Sequence, residues 1–111
     1  MLKKNYEFKN VLSKGNYYSG RYIEAFIRKN SKNYNMLGIA ISVKVAKAVK
    51  RNLIKRLIRE NYRLFENSIK PGYNVIFLWK KKVNIENATF IKIKEDMNTI
   101  FDKANIFEEI K

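Results

Sequence analysis

Twenty residues near the middle of the chain, Ala46 to Phe65 (AKAVKRNLIKRLIRENYRLF), constrain the fold more than any other stretch. At 3.6 residues per turn they form an amphipathic helix with two unlike faces. Val49, Leu53, Ile54, Leu57, Ile58, Leu64 and Phe65 fall on one side, three or four apart, as a core-facing stripe requires. Arg51, Lys55, Arg59 and Arg63 follow one another at steps of four, with Asn52 and Arg56 beside them. Glu60 projects at the edge between ridge and stripe, so the basic row is expected to stay unneutralised.

The simplest account of such a ridge is a solvated face. A solvated helix, however, interleaves Glu with Lys at i, i+4, because like charges at that spacing destabilise by a few tenths of a kcal/mol per pair. Three successive like-charge pairs, 51 with 55, 55 with 59 and 59 with 63, therefore cost stability that a polyanion would offset. RNA or DNA is the obvious polyanion. A helix reading the DNA major groove fits less well, because so complete an apolar stripe ties this helix to its own domain.

Net charge points the same way. The 111 residues hold 24 Lys and Arg against 10 Asp and Glu, a balance of +14 that exceeds what solubility needs. Phosphate-rich partners are expected. The length suits one domain, residues 1–111, able to bury about 65 % of its unfolded surface. Cysteine is absent, which excludes disulfides and thiolate metal sites and suits a reducing cytoplasm. No apolar run approaches a membrane span and the N-terminus lacks a signal-peptide core, so a cytoplasmic protein with no membrane partner is expected.

In chain order, Met1–Lys4 is a basic lead-in, and a short helix follows, capped by Asn5 and closed by Gly15, with Phe8, Val11 and Leu12 on one face. Asn16–Gly20 reads as a loop. Arg21–Lys29 reads as a strand with Ile23, Ala25 and Ile27 on the core side and Tyr22, Glu24, Phe26 and Arg28 opposite. After a polar turn, Met36–Val43 reads as a second strand, with Leu37, Ile39, Ile41 and Val43 towards the core and Gly38, Ala40 and Ser42 opposite. If the two strands are neighbours, those small residues beside Tyr22 and Phe26 leave a groove. The basic helix is expected to end near Ile69, before Pro71 and Gly72. Tyr73–Trp79 is apolar at nearly every position, as in a central strand, and Lys80–Lys82 is a cationic run at its exit. From about Asn87 a last helix carries Phe90, Ile93, Met97, Ile100, Phe101 and Ala104. The order helix, strand, strand, helix, strand, helix predicts an α+β fold with a small sheet.

Catalytic equipment is sparse. There is no histidine and no thiol, and the carboxylates are scattered, with Glu95 and Asp96 about 100° apart on a helix. A two-metal nuclease needs several acids converging, so no catalytic residue and no protein-held metal is expected. Binding is the chain's own competence. The ridge Arg51, Lys55, Arg56, Arg59 and Arg63 suits a phosphate backbone, since guanidinium groups hold phosphate oxygens bidentately. The strand face of Tyr22 and Phe26 can stack bases, or can pack beneath the first helix against Phe8 and Leu12.

Ala48 to Arg59, AVKRNLIKRLIR, resembles the signature helix of the bacterial ribonuclease P protein subunit, whose pattern is Arg-Asn-Arg, three residues, Arg. Leu2 to Gly15, LKKNYEFKNVLSKG, resembles that family's N-terminal helix, and Gly38 to Lys44, GIAISVK, its second strand. The resemblance implies a two-layer α/β sandwich like domain 2 of ribosomal protein S5, with a left-handed β-α-β crossover against the usual rule. It also implies a partner of a catalytic RNA that removes the 5′ leader of precursor tRNA, bound 1:1, with magnesium held in the ribonucleoprotein and hydrolysis carried out by the RNA. Arg51, Asn52, Lys55, Arg56 and Arg59, extended by Arg63, are then expected to face the catalytic RNA. Lys4, Phe8, Leu12, Phe26 and Ser42 are expected to line a cleft for the single-stranded leader, with Tyr22 on the same face and Lys44 at the rim. Leu53 departs from the pattern by replacing its second Arg, and Val43, Ala46 and Lys47 replace a typical Lys, Gly and Asn. The alternative is a ribosomal or ribonucleoprotein-assembly protein that uses the basic helix as structural glue.

Overall fold

An apolar run with no polar alternation seeks the middle of a sheet, and Tyr73–Trp79 takes that place here. The computed structural model describes residue 2 and residues 4–108. Its elements are α1 (Asn5–Lys14), β1 (Asn16–Ser19), β2 (Ile23–Lys29), β3 (Met36–Ala40), α2 (Ala48–Phe65), β4 (Tyr73–Trp79) and α3 (Phe90–Lys103). Met1 and Lys3, half of the basic lead-in, lie outside the described residues.

The sheet order is β1-β2-β4-β3. β1 with β2 and β2 with β4 are antiparallel, whereas β3 and β4 are parallel, so β3, α2 and β4 make a β-α-β unit. On the inner face Ile23, Ala25, Ile27, Val75, Phe77 and Trp79 meet Ile54, Leu57 and Ile58 of α2 and Ile93, Met97, Ile100 and Phe101 of α3. Each of the Val, Leu, Ile, Met and Phe side chains among them contributes about 1.5 to 3 kcal/mol by leaving water. Phe101 gathers Tyr62, Phe65, Phe77 and Phe107 around it at centroid distances of 5.6 to 6.4 Å. This is the α+β sandwich expected from the sequence. α1 covers part of the outer face, where buried Val11 and half-buried Phe8 pack with Leu2 on Ile76.

Several expectations are corrected. Asn16–Ser19 is not loop but an edge strand, paired through Tyr17 with Phe26 and Ser19 with Glu24; four residues are too few to show a period. β2 and β3 are not neighbours, because β4 lies between them. Val43 is 73 % exposed rather than core: pairing stops at Ala40 with Leu78, and the Val45 N–H turns the chain by bonding the Ser42 carbonyl. In α2 the buried stripe is Ile54, Leu57, Ile58, Asn61 and Tyr62, continued by half-buried Phe65. Val49 and Leu64 fall off that spacing and are 79 % and 56 % exposed. Asn61 and Tyr62 held places on the stripe that their polarity disguised; Asn61 Nδ2 donates to the Leu57 and Phe90 carbonyls at 3.0 and 3.2 Å, tying α2 to α3.

Helix ends also differ in detail. Lys4, not Asn5, is the N-cap of α1, and the Glu7 carboxylate accepts from its backbone N–H at 3.2 Å. α2 ends at Phe65, followed by a 3-10 turn over Glu66–Ser68 before the expected break. Gly72 has φ +95°, which a side chain would strain, and its carbonyl accepts from Asn30 N–H at 2.9 Å.

Candidate nucleic-acid interface

Two surfaces carry the polar chemistry, and the connection from Ile41 to Lys47 joins them, running from the end of β3 to the start of α2. The first is the exposed side of α2. Burial of its stripe holds the helix rigidly, so Arg51, Lys55 and Arg59 stand half-buried in a row with Asn52, Arg56 and Arg63 exposed beside it. The Arg51 guanidinium donates to the Ala46 carbonyl at 2.7 Å, stapling the approach to the helix. Glu60 does reach the ridge, contrary to expectation: one oxygen lies 3.6 Å from Arg56 Nε. Both side chains are exposed, so the pair contributes little. No other ion pair forms among the described residues, which leaves the ridge cationic. The first turn of α2 contains no acid, so Lys47, Lys50 and Arg51 crowd the positive end of the helix dipole. A phosphate placed there would relieve both repulsions.

The second surface is the outer face of the sheet. Register aligns Tyr17, Phe26, Ile76 and Gly38 in one row and Ser19, Glu24, Leu78 and Ala40 in the next. α1 covers the first row from Ile76 to Gly38. In the second, Glu24, Leu78 and Ala40 stay open, forming with Tyr17, Ser42 and Lys80–Lys82 a groove of about 400 Å³. Tyr17 and Phe26 meet at 5.2 Å between centroids, and Tyr17 is 52 % exposed. The Tyr17 phenol donates to Glu24 Oε2 at 2.6 Å. That bond, first among its causes, raises the phenol above its usual pKa.

The expected cleft residues are only partly brought together. Phe8 and Phe26 flank the covered row, and Ser42 lines the open groove. Lys4 is exposed at the start of α1 with its ammonium 5.7 Å from the Tyr6 ring, and Leu12 is 37 % exposed on the same helix. Lys44 is exposed, its N–H donating to Ser42 Oγ at 3.2 Å. Tyr22 is a correction: it lies on the inner side, stacked 6.4 Å from Trp79 with Lys92 Nζ 5.5 Å from its ring. The cause is Asp96, whose buried carboxylate accepts the Arg21, Tyr22 and Ile23 N–H groups at 2.9, 2.6 and 2.9 Å. It turns the chain ahead of β2 and breaks the alternation. Tyr17 takes the aromatic place assigned to Tyr22; it lay in the segment read as loop. Among the described residues, no three Asp or Glu side chains gather to hold a metal ion.

Comparison with known proteins identifies the family and the fold. Residues 1–105 match the family model described as Ribonuclease P. The ribonuclease P protein component of Fusobacterium nucleatum is 44 % identical over 107 residues, covering 95 % of this chain and 96 % of its own. That of Clostridioides difficile is 37 % identical over 106 residues, covering 95 % and 91 %. The solved structure of the Staphylococcus aureus RNase P protein superposes with a TM-score of 0.84 at 28 % identity, covering 96 % of each chain. The Thermotoga maritima RNase P protein superposes with a TM-score of 0.82 at 27 % identity, covering 92 % of this chain and 94 % of its own. With the family model spanning nearly the whole chain and the fold shared throughout, this chain belongs to the ribonuclease P protein family.

Proposed function

We propose that the chain is the protein subunit of a cytoplasmic ribonuclease P, bound 1:1 to a catalytic RNA and assisting removal of the 5′ leader from precursor tRNA. The observation that carries this reading is the α2 ridge: five Arg and Lys side chains and Asn52, held on a rigid helix and countered by a single exposed carboxylate. Such a surface is complementary to folded RNA. Arg51, Asn52, Lys55, Arg56, Arg59 and Arg63 bind the catalytic RNA and screen its self-repulsion. The outer-face groove, with Phe8, Phe26 and Ser42, receives the single-stranded leader, and Lys4, Leu12 and Lys44 approach it from α1 and the turn after β3. Bases stack on the aromatic side chains there.

This chain's described residues do not fit a magnesium ion, since no acidic cluster forms among them. Magnesium belongs to the RNA in this reading, and no step runs through a metal on the protein. The test is reconstitution: at low magnesium, adding the protein to the catalytic RNA restores accurate leader removal, and Arg59→Ala weakens that rescue. Binding of the RNA without rescue of cleavage would favour the ribosomal or assembly role instead. Leader removal by the polypeptide alone would overturn the division of labour.

A further inference from the structure

The end of β2 and the start of β4 help enclose a second cationic pocket, of about 280 Å³, on the inner side of the sheet. It lies away from the outer groove, whose Lys80–Lys82 follow the opposite end of β4. Lys14, Arg28 and Lys29 supply its charge, Tyr18, Tyr73 and Ile106 supply apolar surface, and among the described residues no acid lines it. Gly15 lets α1 contribute to it. A Cβ there would stand 3.2 Å from the Ile27 carbonyl oxygen, so the missing side chain allows the end of the helix, with Lys14, to close against β2.

Part of this charge has a local reason. Lys14 stands in the last turn of α1, where a cation answers the helix dipole, and the Arg28 guanidinium donates to the Asn10 side-chain oxygen of the same helix. Neither reason accounts for Lys29. None of the three has a carboxylate within 4.0 Å among the described residues, so the cations repel one another around two half-buried tyrosines. A bound phosphate would remove that cost. The volume is small for a ligand pocket, which suits one nucleotide rather than a duplex.

Lysine holds phosphate as a point charge, and a base stacks on a tyrosine face almost regardless of its identity. We propose that this pocket holds a single nucleotide of the catalytic RNA, its phosphate drawn to Lys14 and Lys29 and its base set against Tyr18 and Tyr73. The RNA is thereby anchored at a point separate from the α2 ridge and from the outer groove. This rests on the reading of the chain as the partner of a catalytic RNA and adds a further contact to it.

The test is filter binding of the catalytic RNA across a salt series, with a thermal melt of every variant. Lys14→Gln/Lys29→Gln is compared with Lys9→Gln/Lys94→Gln, which removes the same charge from exposed positions outside the pocket. The pocket pair is expected to bind about fourfold more weakly at 150 mM salt and to flatten the slope of log K against log salt by about 0.7, whereas the control pair changes affinity less than about twofold. Tyr73→Leu keeps apolar bulk and removes the stacking face, so about fivefold weaker binding with an unchanged slope is expected. Equal losses in the two lysine pairs would reduce the effect to the general field of the protein and overturn the proposal. So would a Tyr73→Leu variant that melts like the wild type and binds the RNA as tightly; if it melts lower, the lysine pairs decide. Free 5′-AMP is the probe for the other source of a nucleotide. Shifts of the Ile27 and Ala104 amide resonances on adding it, together with wild-type RNA affinity in the pocket pair, would assign the site to a free nucleotide and overturn the RNA anchor. Arg59→Ala is the reference: if it too leaves RNA binding intact, the reading of the chain as an RNA partner falls, and if it alone weakens binding, only the pocket proposal falls.

Discussion

The ring of Phe8 occupies the space that Gly38 leaves open: a Cβ at Gly38 would stand 2.9 Å from Phe8 Cζ and 3.1 Å from Leu2 Cδ1. α1 docks through this contact, which divides the outer face of the sheet into a covered row and an open one. The small residue serves the helix at this point, while Ala40 and Ser42 further along serve the groove. Gly38→Ala is expected to destabilise by about 1 to 3 kcal/mol through overpacking, read as a lower urea midpoint with an unchanged m-value.

Asp96 gathers three consecutive N–H groups ahead of β2. Asp96→Ala would leave those donors buried or half-buried without an acceptor. A loss of about 3 kcal/mol or more follows from removing charge-assisted bonds of this kind. Equilibrium urea unfolding measures it, and Glu95→Ala at the exposed neighbouring position serves as the control with little change.

Tyr62 is 5 % exposed, and its hydroxyl has no hydrogen-bond partner among the described residues. Burial, helped by the charge of Glu66, pushes its pKa up to about 12 from 10.0. Below pH 10 both states keep the phenol proton, and this contribution is fully present. As pH rises from 10 to about 12 the unfolded chain gives up the proton first, so it binds fewer protons and stability falls. The loss is about 2 to 3 kcal/mol when complete. Tyr62→Phe is expected to abolish this part of the alkaline decline and to gain about 1 kcal/mol at neutral pH by removing an unpaired hydroxyl, as measured by unfolding between pH 7 and 12.

Salt reads the ridge directly. If about five phosphates of single-stranded RNA are neutralised, log K falls against log salt with a slope near −3.5, or about a hundredfold between 50 and 200 mM. Duplex contacts steepen it. Arg59→Ala is expected to flatten the slope by about 0.7, seen in filter binding across a salt series. An unchanged, flat response would mean that the ridge is idle.

Much of this molecule was legible along the chain because its signals are local. The alternation of Ile23, Ala25 and Ile27, the unbroken run of β4, and the basic row of α2 each follow from neighbours within a turn or a pleat. The basic ridge of α2 was therefore readable as a row, and Glu60 touches it only at Arg56. The buried stripe was harder to bound, since Asn61 and Tyr62 are polar in type but core in position.

What the chain alone determined was the kind of element at each place and the charge each would carry. Tertiary structure decided which surfaces those charges and rings came to share. β4 inserted itself between β2 and β3 because a strand apolar on both faces is stable only with cover on both sides. Asp96, 73 to 75 residues from the amides it binds, swung Tyr22 to the inner face and left the outer aromatic place to Tyr17. Long-range hydrogen bonds and strand order have no periodic signature, so the groove and the Tyr17–Glu24 pair within it came into being only on folding.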